Sequence, residues 1–150
     1  MGVDIEVVQN VSDELVEAFA RLIPQLSRSA RPLDAQALQT LAAWQGNRLI
    51  IARVDGRVIG ALTLVMFPIP TGLRAWIEDV VVDDAARGQG VGAALTREAI
   101  RIARDEGART VDLTSRPSRV AANRLYERLG FRLRDSKVYR LEDVNPLAPE

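Results

Sequence analysis

Apolar residues recur at intervals of three and four early in the chain, at Leu15, Ala18, Phe19, Leu22 and Ile23. That spacing gathers them on one side of a helix, which Ser12 or Asp13 can cap and whose last turn Pro24 should disturb. A second stripe, Ala37, Leu38, Leu41 and Ala42, predicts another helix from about Asp34, with residues 27–33 (including Pro32) as the loop between. The period then changes. Residues 3–8 alternate, and residues 48–54 and 57–67 are β-rich runs joined by Asp55-Gly56, a strong hairpin signal. Pro68, Pro70 and Gly72 break the chain before a strand over residues 74–82. Helical spacing returns at Val91, Leu95, Ala99, Ile102 and Ala103, over about residues 90–106, and Gly107 ends it. A short buried strand is expected at 110–114. Ser118 can cap a helix of roughly 119–129 that Gly130 closes, residues 131–141 should supply the final strand or strands, and 145–150 should form a flexible tail. The order β-α-α-β-β-β-α-β-α-β predicts an α/β fold with a mixed sheet, in one domain spanning residues 1–150.

Composition narrows the chemistry. The hydrophobic fraction of 47% suffices for one core, and twenty basic residues balance twenty acidic ones, so no charge footprint for nucleic acid or an anionic membrane is visible. Cysteine and histidine are both absent. That excludes disulfides, thiolate or imidazole metal ligands, a cysteine nucleophile and a histidine base. No metal is expected. The N-terminus lacks a signal-peptide profile and no apolar run approaches spanning length, so the expectation is a soluble, cytoplasmic protein without membrane partners.

The densest chemical signal is the run from Glu78 to Gly92. An apolar strand enters a turn holding Arg87, Gly88, Gln89 and Gly90, and the turn opens a helix. Such a turn leaves a row of backbone N–H groups for a phosphate-bearing cofactor, aided by the helix dipole. Gly88-Gln89-Gly90-Val91-Gly92-Ala93 fits the dinucleotide fingerprint G-x-G-x-x-A, and Asp112 lies near the distance of a ribose-binding acid. The context argues against it: the turn does not follow its strand tightly, hairpins precede it, and too little chain follows for a doubly wound sheet. Arg87-Gly88-Gln89-Gly90-Val91-Gly92 instead resembles the R/Q-x-x-G-x-G/A signature of the Gcn5-related N-acetyltransferase (GNAT) superfamily. Its lead-in, Ile77 to Val82, looks like that family's fourth strand, and Asn123 to Phe131 is similar to its second block, N-x-x-Y-x-x-x-G-F.

The resemblance implies a mostly antiparallel mixed sheet with a splayed fourth and fifth strand pair, flanked by about four helices. It implies acetyl-coenzyme A as cosubstrate. Gly88, Gly90 and Gly92 would keep side chains away from the diphosphate, Gln89 and Ala93 would add backbone donors, and Arg87 positive charge. The pantetheine arm would pair with the open edge at Val80, Val81 and Val82. The N–H of Val81, or of a neighbour should a bulge shift the register, would polarise the thioester carbonyl. Glu78 is the leading candidate base, through water, whereas Asp79 should face the other side of the sheet unless a bulge reorients it. Tyr126 would protonate the departing thiolate, Asn123 one turn earlier would hold the pantetheine or a water, and Arg128 could touch the phosphates.

These expectations define an N-acetyltransferase moving an acetyl group to a primary amine by direct attack in a ternary complex, with a small-molecule acceptor. The alternatives are a protein or peptide N-terminal acetyltransferase and a non-catalytic acyl-coenzyme A sensor. Acceptor residues would come from 27–44, 66–76 and 115–119. Within them, Trp44, Phe67 and Trp76 are candidate pocket or core aromatics, and Arg116 and Arg119 could meet an anionic group. A homodimer is compatible with an edge left by the C-terminal strands.

Overall fold

The described residues form a sheet of five strands in the order β1-β2-β3-β4-β5, with every neighbouring pair antiparallel except β4 and β5. The computed structural model describes residues 2–144. Along the chain come β1 (Asp4–Val7), α1 (Asp13–Leu26), α2 (Ala35–Ala43), β2 (Asn47–Val54), β3 (Arg57–Ile69) and β4 (Gly72–Val82). A 3-10 turn at Asp84–Ala86 leads to α3 (Val91–Asp105), then β5 (Thr110–Asp112) and α4 (Val120–Arg128). Among the described residues this is a mixed α/β fold on a mostly antiparallel sheet with four helices. α3 forms the crossover that joins β4 to its parallel neighbour β5, whereas α1 and α2 join the antiparallel neighbours β1 and β2. No helix among the described residues is long and apolar enough to cross a membrane.

Local chemistry sets these elements. Ser12 Oγ accepts the Leu15 N–H at 3.2 Å and Asp34 Oδ1 the Ala37 N–H at 2.7 Å, so α1 and α2 each begin on a side-chain cap. Asp55 and Gly56 both hold positive φ (52° and 79°), the conformation a tight β2–β3 hairpin requires. One face of the sheet packs Ile50, Leu62, Leu64, Ala75 and Ile77 against Val91, Leu95 and Ala99 of α3. The other packs Leu49, Ile51, Val58, Ala61 and Val81 against Leu15, Phe19 and Leu22 of α1 and Leu38 of α2. Each fully buried Val, Leu, Ile or Phe among them contributes about 1.5–3 kcal/mol of transfer free energy.

Four expectations need correction. Pro24 does not disturb α1: the helix continues to Leu26, the Ser27 N–H still reaches Ile23 O at 2.9 Å, and the exposed ring costs one backbone donor. Pro68 lies inside β3, which runs on to Ile69, so only Pro70 and Thr71 interrupt the β3–β4 hairpin. Ser118 does not cap α4: Arg119 holds the N-cap position, with no side-chain bond into the helix. Residues 131–141 form no strand. Phe131 docks against the α3 face, but Leu133, Val138, Tyr139 and Leu141 are exposed. Strand propensity stabilises nothing without a partner edge, and the adjacent β5 is three residues long. The tail expected at 145–150 lies outside the described residues.

Candidate active site

The site begins with a fault in β4. Thr63 pairs with Glu78 and Ala61 with Val81, so Asp79 and Val80 together oppose Leu62. Asp79 takes φ 50°, left-handed and rare for a residue with a side chain, and forms the bulge. The consequence shows in the packing. Ile77 and Val80 both face the α3 side although three residues apart, which a regular strand forbids. Glu78 and Asp79 are left adjacent and both exposed.

Beyond the bulge, β4 loses its second neighbour. β5 pairs with Arg74, Ala75 and Trp76 only, so from Ile77 to Val82 the edge away from β3 carries no strand among the described residues. The Asp83 N–H donates to Ile59 O at 2.8 Å while Val82 sits opposite Gly60. In an antiparallel ladder that makes Val82 a non-hydrogen-bonded pair member, whose own N–H and C=O point away from β3 onto the open edge. Val81, paired with Ala61, turns its N–H inward to β3, so the bulge register favours Val82 over Val81 as the outward donor.

The glycine turn lies at the end of this edge. Gly88 and Gly90 have φ of 81° and 77°, and a Cβ at either would meet nothing within 4 Å. Glycine is required there by backbone conformation, and the space in front stays clear. Gly90 is the N-cap of α3 and offers no side-chain cap. The N–H groups of residues 88 to 93 donate to no protein acceptor among the described residues. At Gly92 a Cβ would lie 3.7 Å from Leu125 Cδ2 and 3.9 Å from Val82 Cγ2, in ordinary contact at the junction of β4, α3 and α4. Ala93, next on α3, is half-buried. Gln89 is exposed, and exposed Arg87 is held by Asp84 at 2.8 Å in a surface ion pair that a ligand phosphate can displace.

α4 closes the other side. Tyr126 is 7% exposed, and its ring meets Phe131 edge-on at a centroid distance of 5.8 Å. Burial pushes its phenol above the usual 10.0, with the Arg119 charge pulling the other way, so it stays protonated at neutral pH. The hydroxyl has no hydrogen-bond partner among the described residues. Asn123 Nδ2 donates to Arg116 O at 3.0 Å, tying α4 to the β5–α4 loop. Arg128 is exposed at the last turn of α4.

Two contacts around the site escaped the sequence reading. Buried Asp83 accepts Ala85 N–H at 3.0 Å and Arg21 Nε at 3.2 Å, pinning the end of β4 to α1. The Ala85 N–H, with the Arg21 guanidinium, holds the Asp83 carboxyl below its usual range against the opposing effect of burial. Trp76 Nε1 donates to Glu78 Oε1 at 2.7 Å. Trp44 and Phe67 line an open groove of about 750 Å³ beside Arg48 and Glu106. That groove shares no residue with the glycine turn, the open edge or α4. No group of three or more His, Cys, Asp or Glu side chains suited to a metal ion occurs among the described residues.

The mixed sheet parts between its fourth and fifth strands, next to a glycine turn that opens a helix. The acetyltransferase (GNAT) family model matches residues 13–131, and the chain belongs to that family. It is similar to a glucosamine 6-phosphate N-acetyltransferase of Trypanosoma brucei brucei, 35% identical over 117 residues, 73% of this chain and 78% of that protein. Glucosamine 6-phosphate N-acetyltransferase 1 of Oryza sativa subsp. japonica is 31% identical over 128 residues, 79% of this chain and 75% of that protein. A crystal structure of a Trypanosoma brucei acetyltransferase superposes with a TM-score of 0.76 at 29% identity, covering 94% of this chain and 99% of that one. The chain is therefore an enzyme of acetyl transfer to an amine, in a family that uses acetyl-coenzyme A.

Proposed function

We propose that this enzyme takes its acetyl group from acetyl-coenzyme A and passes it directly to the primary amine of a small anionic molecule. The observation that carries the reading is the row of unclaimed N–H groups at residues 88–93, next to the unpaired edge of β4. Acetyl-coenzyme A supplies an acyl group activated as a thioester. The turn and Arg87 would hold its diphosphate, Arg128 its outer phosphate, and Val80 and Val82 its amide-rich arm by strand addition, with Val81 buried behind them. Asn123 would retain its Oδ1 for the same arm.

Glu78 would take a proton from the incoming ammonium through water, freeing the lone pair that attacks the carbonyl carbon. The outward Val82 N–H would steady the oxyanion. As the carbon–sulfur bond breaks, Tyr126 would give its proton to the sulfur, and its buried phenol favours the protonated form this requires.

Support for an anionic acceptor comes from Arg116 and Arg119, both exposed and in no ion pair among the described residues, with Arg119 near enough to Tyr126 to influence its phenol. The two relatives named for glucosamine 6-phosphate make a phosphorylated amino sugar the first acceptor to test. Calorimetric titration with acetyl-coenzyme A, coenzyme A and NAD tests the donor: both coenzyme A forms should bind and NAD should not. Thiol release with glucosamine 6-phosphate, glucosamine and a peptide amine then tests the acceptor. Equal rates with all three would remove the anionic acceptor, peptide preference would favour the peptide N-terminal reading, and tight binding without transfer would leave a sensor. Replacing Arg116 and Arg119 by alanine should raise KM for the phosphorylated amine alone.

The exposed apolar residues after Phe131 and the short β5 edge support a homodimer in which these surfaces cover one another.

A further inference from the structure

We infer that Trp76 is the positioning residue for the Glu78 carboxylate. The inference rests on the reading of Glu78 as the base, and it adds what directs that base. Trp76 occupies the last position at which β4 has a partner on both sides: Val65 on β3 and Asp112 on β5. Two residues further on, Glu78 has only Thr63 on β3, and the next residue is the bulge. The sheet thus holds the backbone from one side only at the residue that must be ordered for proton transfer.

Trp76 and Glu78 lie on the same face of β4, because two residues of regular strand separate them and the bulge begins only afterwards. The indole Nε1–H reaches Glu78 Oε1 at 2.7 Å. It is the only side-chain hydrogen bond or ion pair that Glu78 makes among the described residues. An exposed glutamate without a tether samples many rotamers, and each one fixed costs conformational entropy. The indole is suited to the task. It has one donor and no acceptor, so its orientation toward a carboxylate is unambiguous, and its half-buried ring cannot follow the carboxylate into solvent. One carboxylate oxygen is held, and the second stays available to the water between Glu78 and the amine.

The test joins kinetics to a direct view of the contact. Trp76→Phe keeps the ring and removes the donor. It should lower kcat by about 10-fold or more while leaving KM for acetyl-coenzyme A unchanged, the split expected for a misplaced base. In a Glu78→Ala background the same substitution should change kcat by less than about twofold, since its target is gone. The chain contains only two tryptophans, Trp76 and the 66% exposed Trp44, so two indole N–H resonances appear by NMR and Trp44 serves as the reference. Glu78→Ala, at an exposed position, should move the Trp76 resonance and leave that of Trp44 in place. Equal losses in the two backgrounds, or an unmoved Trp76 resonance, would overturn the inference and leave the acetyltransferase reading intact. A wild-type enzyme that binds acetyl-coenzyme A and acetylates no amine would instead sink the reading and the inference together.

Discussion

Tyr126 and Asp83 bear on different properties: the phenol on the proposed reaction, the buried carboxylate on stability. Tyr126→Phe should lower turnover by about 10- to 100-fold, in the range of one lost acid catalyst, with coenzyme affinity by calorimetry nearly unchanged. Unaltered turnover across the pH range would remove the phenol from the reaction. Asp83 acts on stability. Its folded pKa lies below the unfolded value, so its stabilising effect is complete above the unfolded carboxyl range and is lost as pH falls through the folded value. Asp83→Asn should therefore cost about 1–3 kcal/mol near neutral pH, typical of a lost buried charged hydrogen bond, and flatten the acid limb of stability. Urea titrations of both proteins at pH 7 and pH 3 check this: a deficit of equal size at the two pH values would reject the assignment. Glu78, Tyr126 and Asn123 could be proposed from the sequence because they stand in or beside short spaced motifs. Arg21 and Asp83 were not, being 62 residues apart and brought together only by the packing of α1 on the sheet.

Among the elements, α3 is the one whose placement decides most. Gly60 on β3 lets it approach: a Cβ there would lie 3.0 Å from Val91 Cγ1 and 3.1 Å from Val81 O. Gly60→Ala should destabilise the fold by about 1–3 kcal/mol through overpacking, read as a lower urea midpoint. Gly90 behaves differently, since a side chain there meets no protein atom. Gly90→Val should fold with a conformational penalty of about 1–2 kcal/mol and lose coenzyme binding by calorimetry. A folded variant that still binds would put the diphosphate elsewhere. The helices and the Asp55-Gly56 hairpin could be read in advance because caps, stripes and turns are local. The strand expected at 131–141 could not, because a strand exists only with a neighbour. The bulge at Asp79 was invisible for a related reason: it is defined by what Leu62 faces across the ladder.

For the whole molecule, the surface itself raises a demand. Leu133, at full exposure, with Val138, Tyr139 and Leu141 forms an apolar succession on a chain of zero net charge. Sedimentation should find a dimer at micromolar concentration, and replacing Tyr139 and Leu141 by serine should shift it to monomer. A wild-type monomer under the same conditions would reject the homodimer. The mixed sheet could be inferred from element order, and the family from the glycine turn with the Asn123–Phe131 block. The homodimer remains a proposal, since it depends on surfaces of two copies.

The brevity of β5 has a cost that selection cannot remove. Three more residues paired with β4, 113–115 against Ile77, Glu78 and Asp79, would satisfy backbone groups, stiffen the sheet and raise its melting temperature, and would carry β5 up to the edge at Val80 and Val82 where the coenzyme arm is proposed to pair. On the proposed reading, thermal robustness and turnover compete for the same edge of β4. Variants selected for heat resistance through extended pairing at residues 113–115 should be the ones that lose activity first.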